Sequence, residues 1–152
     1  RMWIFEMKHK NCNKLLIVNI MIPIIVGAII YYLLSPDVIF VTYINSIFSM
    51  DFYSNIHIHQ NGFIVFIRNY VLDMLWGYSL IFSLFYIYGN NTAKLYRILM
   101  IGWTFSALIE ILQLTPIVKG TFDICDIVVE LLSELFAVFI IKKIICVEEF
   151  KR

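Results

Sequence analysis

Six acids stand inside stretches of sequence that are otherwise apolar: Asp73, Glu110, Asp123, Asp126, Glu130 and Glu134. A carboxylate at the centre of a bilayer costs about 2.5–3.5 kcal/mol on insertion scales. A chain that keeps several must give them partners. Glu110 and Gln113 are three residues apart and share one face of a helix. Asp123 and Asp126 open a further helix, and Glu130 continues their face at i+4. Arg68 and Asn69 stand just before Asp73. If the helices that carry them alternate in direction, Arg68, Asp73, Glu110, Gln113, Asp123 and Asp126 arrive at one depth. Such a cluster can bind a polar ligand in an interior cavity. It can also hold helices together through pairing with Arg68, Gln113 and tyrosine hydroxyls, or carry protons or catalyse. Glu134 falls near mid-depth with no basic residue at its level. It is expected as a neutral carboxyl bonded to a hydroxyl such as Ser83 or Thr104, a structural role.

The elements that must position these acids are membrane helices. The chain has 152 residues, of which 61% are apolar, 16% aromatic and 15% charged. Its mean hydropathy is +0.84. An ordinary soluble domain carries about 25% charged residues. The composition excludes disorder, a nucleic-acid-binding tail and a secreted disulfide scaffold, and nucleic acid is excluded as a partner. It predicts an all-α integral membrane domain over residues 1–152 with the lipid bilayer as its first partner. Residues 15–34 lack any charge and match the roughly 30 Å hydrocarbon core at 1.5 Å per residue. Further spans are expected over about 70–88, 98–114 and 123–141. Pro23 predicts a kink in the first. Between the first and second spans, residues 35–69 form a long apolar loop. Its segment Val38 to Phe48 is too short to cross and is expected to lie as an interfacial or re-entrant helix.

Lys and Arg set the orientation. With four spans, one side holds Arg1, Lys8, Lys10, Lys14, Lys94, Arg97, Lys142, Lys143, Lys151 and Arg152, and the other holds Arg68 and Lys119. This asymmetry places both termini in the cytoplasm and the acids towards the outer face.

Other features read as packing. Gly102 and Ser106 in the third span, and Gly77, Ser79 and Ser83 in the second, are small residues that let helices approach. Trp3, Trp76 and Trp103 are expected at interfaces or in packing. Cys12, Cys125 and Cys146 form no metal or redox pair. His57 and His59 alternate but have no further ligand nearby, so no metal site and no cofactor are expected. No nucleotide-binding, metalloprotease or nucleophile-elbow motif occurs.

Three segments together resemble a known family. Asn69-Tyr-Val-Leu-Asp-Met-Leu-Trp-Gly-Tyr-Ser-Leu80 is similar to its second-span motif. Glu110-Ile-Leu-Gln113 is similar to its E-x-x-Q signature, and Gly120-Thr-Phe-Asp-Ile-Cys-Asp126 to its G-T-F-D-x-x-D signature. Their order and spacing resemble the VanZ-like membrane proteins, named for a teicoplanin-resistance protein, over about residues 68–137. The resemblance implies a bacterial, multi-span protein of the cell envelope and cytoplasmic membrane, in a family associated with glycopeptide-antibiotic resistance. Carried over by position, the family's polar residues are Asp73, Glu110, Gln113, Gly120, Thr121, Asp123 and Asp126. Where the family shows an Asn and then spaced glycines, this chain has Glu130, Ser133 and Ala137.

Two classes of function follow. One is a non-enzymatic envelope protein whose outer cluster of Arg68, Asp73, Glu110, Gln113, Thr121, Asp123, Asp126 and Glu130 binds a cell-wall precursor lipid, a glycopeptide antibiotic or a protein partner. The other is an intramembrane enzyme acting on a lipid headgroup, with carboxylates holding a divalent metal. A proton-coupled transporter ranks third, and four spans would then require a homo-oligomer.

Overall fold

The computed structural model describes residues 2–34, 43, 46–47, 61–88, 92–116 and 122–150. These are helical almost throughout, and no strand occurs among them. Helix α1 spans Met2–Leu34 and runs unbroken through Pro23, which removes one donor to the carbonyl of Asn19. Helix α2 spans Gly62–Ile87. It starts at Asn61, whose extended backbone presents a carbonyl to Ile64 N (2.9 Å) and Val65 N (3.1 Å). It contains one wide π-helical turn, Ile67–Val71, before Leu72–Ile87 continue as α-helix. Helix α3 spans Leu95–Leu112 and follows a 3-10 turn, Thr92–Lys94. It closes with tightened bonds from Gln113, Leu114 and Thr115 before Pro116. Helix α4 spans Ile124–Phe150. Asp123 caps it, Oδ1 accepting from Cys125 N at 2.8 Å.

The second helix starts earlier than the expected 70, because residues 62–69 contain no proline and only Arg68 as a charge. The fourth helix likewise runs past 141, since Lys142 and Lys143 favour helix about as well as leucine does. The third ends at Leu112 rather than 114. Of the expected interfacial segment, Tyr43, Ser46 and Ile47 are helical and the remainder lies outside the described residues. The side chains of Trp3, Cys12 and Cys146, and residues His57 and His59, also lie outside them.

Among the described residues, Asn13–Leu34, Gly62–Ile87 and Leu95–Leu112 are long and apolar enough to cross a membrane. Helix α4 is longer still, but Asp126, Glu130 and Glu134 interrupt its apolar stretch. The arrangement fits a multi-pass membrane protein, with large apolar side chains turned outward: Ile22, Ile25 and Ile29 on α1 are all at least half exposed.

Helix α2 lies at the centre and packs against α1, α3 and α4, while α3 also packs against α4. Helix α1 rests on α2 through Leu16, Asn19 and Ile20. Tyr78 OH donates to Asn19 Oδ1 at 2.7 Å, and Ser79 Oγ donates to the Ile20 carbonyl at 3.3 Å. The end of the bundle where α1 and α3 finish, and α2 and α4 begin, is its upper end. The lower half is a dry core of Leu16, Phe82, Phe85, Leu95, Ile98, Ala137 and Ile141. The acids occupy the upper half.

Candidate functional site

Three helices present their polar residues one turn apart. On α4 the acids Asp126, Glu130 and Glu134 follow each other at i+4. On α3, running the opposite way, Glu110, Ser106 and Gly102 do the same. On α2 the matching residues are Asp73, Gly77 and Ile81. Laid side by side, these rows form three layers. Asp73, Glu110 and Asp126 are uppermost, Gly77, Ser106 and Glu130 lie in the middle, and Ile81, Gly102 and Glu134 lie below.

In the upper layer Glu110 is buried, at 6% exposure. Its Oε1 accepts from Asp123 N at 2.8 Å. The bond ties the end of α3 to the start of α4 and satisfies one of the free N–H groups there. Asp73 lies near enough to Asp126, Glu130 and Glu110 for their charges to interact, and Asp126 interacts with Glu110 and Asp123 in turn. Tyr70, from the π-helical turn, stands beside Asp123 and Asp126. Buried Asp126 Oδ1 has no hydrogen-bond partner. Arg68 stands at the top of α2, where its Nε donates to Asn69 Oδ1 at 3.2 Å. Among the described residues it forms no ion pair with the acids, so the pairing that would let Arg68 hold the helices together is not seen there. Gln113 terminates α3 half-buried, and no hydrogen bond joins its side chain to the acids among the described residues. Thr121 lies outside the described residues.

The middle and lower layers are closed by glycine. A Cβ on Gly77 would stand 3.3 Å from the Glu130 carbonyl oxygen. One on Gly102 would stand 2.6 Å from Ile81 Cδ1 and 3.2 Å from Glu134 Oε1. These glycines let α2 and α3 press against the acid face of α4. Ser133 Oγ donates to the Met74 carbonyl, adding a bond between α2 and α4. Glu134 is fully buried. Its Oε1 accepts from Ser106 Oγ at 3.2 Å, and its Oε2 has no partner. The hydroxyl partner is therefore Ser106, not Ser83 or Thr104. Ser83 bonds back to the Ser79 carbonyl at 2.8 Å, and Thr104 is exposed, turned away from α4.

Among the described residues no group of three acids, cysteines or histidines converges to hold a metal ion. What the arrangement offers is a set of carboxylates at one end of a helical bundle, none of them in an ion pair among the described residues. It suits a ligand that brings positive charge or hydrogen-bond donors. Nothing in the residue pattern marks Ser106 and Ser133 as interhelical donors. Their signal was only that of small residues at helical spacing. No family model, curated protein or solved structure matches the chain.

Proposed function

We propose that this chain is a VanZ-like, non-enzymatic membrane protein of the bacterial cell envelope whose carboxylate cluster binds a polar envelope ligand. Four spans place both termini in the cytoplasm and the upper end outside, the arrangement that the 10-to-2 split of Lys and Arg supports. In it α4 crosses as the fourth span, with Glu134 buried against α2 and α3 and Asp126 and Glu130 partly so. The ligand would be a cell-wall precursor lipid or a glycopeptide antibiotic, and the activity would be tolerance of teicoplanin-type antibiotics. The observation that carries the reading is the gathering of Asp73, Glu110, Asp123 and Asp126 at one end, with buried Asp126 Oδ1 unpartnered. Buried polar atoms are nearly always satisfied, and one that is not calls for a partner.

Purified protein titrated with a lipid-linked cell-wall precursor, and separately with teicoplanin, tests the reading through intrinsic tryptophan fluorescence. Binding of one of them, weakened about tenfold to hundredfold in Asp123→Asn, is expected for the loss of one charge-assisted hydrogen bond. Equal binding by wild type and variant would overturn it.

A further inference from the structure

A cleft of about 540 Å³ opens between α1 and α2 below Arg68. That is within the range of about 300–1,000 Å³ common for small-molecule sites. Its polar end is formed by Tyr31, Arg68 and Asp73, and apolar side chains line it from Gly27 down to Pro23, with Trp76 beside them. From Pro23 to Tyr31 the wall rises about 12 Å at 1.5 Å per residue. The cleft is thus polar at the upper end and apolar beneath, the profile of a lipid headgroup with the start of its acyl chain.

Two features build it. Gly27 leaves space, for a Cβ there would meet nothing nearer than Leu72 and Leu75 side chains at 3.9 Å. The π-helical turn Ile67–Val71 widens α2 so that residues five apart share a side, which brings Arg68 and Asp73 into one cleft. The Arg68 guanidinium forms no ion pair among the described residues and bonds only to Asn69. Asp73 lines the same cleft, so a guanidinium and a carboxyl stand together at its polar end.

We propose that this cleft holds a bilayer phospholipid whose headgroup carries a primary amine. The phosphate diester pairs with the Arg68 fork, the ammonium lies against Asp73, and one acyl chain follows Gly27 and Trp76 downward. A phospholipid with an uncharged alcohol headgroup would satisfy Arg68 but leave Asp73 without a cation. The proposal rests on the reading of the acids as a ligand site, and names the class of molecule that reaches it from the membrane.

The full-length protein is presented with an equimolar mixture of phosphatidylethanolamine and phosphatidylglycerol of identical acyl chains, and bound lipid is counted by native mass spectrometry. Wild type retains the ethanolamine lipid in preference. Gly27→Leu fills the cleft and lowers retention about tenfold or more, while Gly27→Ala, whose methyl makes only ordinary contacts, retains it. Asp73→Asn erases the preference between the two lipids, and Arg68→Gln weakens both by about tenfold to hundredfold. Circular dichroism of each variant reports its helix content, and Gly27→Ala serves as a folded control in the same helix. Equal retention of both lipids by wild type would mean annular lipid only and overturn the proposal. So would retention unchanged by Gly27→Leu, or self-association without lipid that Gly27→Leu abolishes, which would assign the cleft to a second copy. Glu110 and Asp123 do not line the cleft. If their amide variants lose precursor or antibiotic binding while wild type shows no lipid preference, the cleft proposal alone falls.

Discussion

Gly102 sits where α3 presses on both α2 and α4, and a single added methyl tests that packing. A Cβ there would lie 2.6 Å from Ile81 Cδ1 and 3.2 Å from Glu134 Oε1. Ile81 and Glu134 are both fully buried, so neither can swing into open space. Overpacking of this kind costs about 1–3 kcal/mol. Alanine returns roughly 0.5–1 kcal/mol through its better helix propensity, so Gly102→Ala is expected to destabilise by about 0–2.5 kcal/mol. Ile81→Val deletes the Cδ1 methyl that the new group strikes and alone costs about 0.5–1.5 kcal/mol. The double variant should then be more stable than the two single losses added together, by about 1 kcal/mol, a coupling typical of residues in contact. Reversible unfolding from mild detergent into a denaturing one, followed by helical circular dichroism, gives the four free energies. Additivity within about 0.5 kcal/mol, the behaviour of distant sites, would refute the close approach of α3 to α2 at this layer.

Other outcomes follow from single bonds and from topology. Glu110→Gln keeps an oxygen for Asp123 N and should leave membrane abundance unchanged. Glu110→Ala strands that N–H and should cost about 1–3 kcal/mol, seen as a lower unfolding midpoint. Tyr78→Phe removes the 2.7 Å bond to Asn19 and should cost about 0.6 kcal/mol, the average for such bonds in membranes; a loss above about 2 kcal/mol would show that more than this bond holds α1. A reporter active only outside the cytoplasm should work at Gly120 and stay silent at Arg152, and activity at Arg152 would end the four-span topology.

Much of the acid face could be read from spacing alone. Asp126 and Glu130 at i+4 had to share a face, and the short connection between Glu110 and Asp123 had to leave them near each other. Depth was legible too, because alternating helices return to the same level. Partner choice was not. Depth puts Ser83, Thr104 and Ser106 within about a turn of Glu134, and only the rotation of α3 and α2 selects Ser106. Rotation is set by Gly77 and Gly102, whose lack of side chain decides how the helices seat, and a glycine in a membrane span does not announce which neighbour it admits. Spacing left open whether Arg68 pairs with an acid, and in the structure it lines a cleft against α1 instead. No residue of Ile67–Val71 carries a signal for the wider π-helical turn. The ends of α2 and α4 were misplaced for a simpler reason: apolarity marks where a helix meets lipid, whereas the helix continues until a breaker or cap stops it.

In the proposed site the upper carboxylates act through their charge on a ligand. Glu110→Gln and Asp123→Asn keep volume and hydrogen-bonding capacity and remove only that charge. The direct measurement is glycopeptide tolerance of a bacterial host expressing each variant, read beside the amount of protein in the membrane. Lost tolerance at normal abundance is the expected result. Full tolerance with both amides in place would contradict it and leave Glu110 and Asp123 as residues that join α3 to α4.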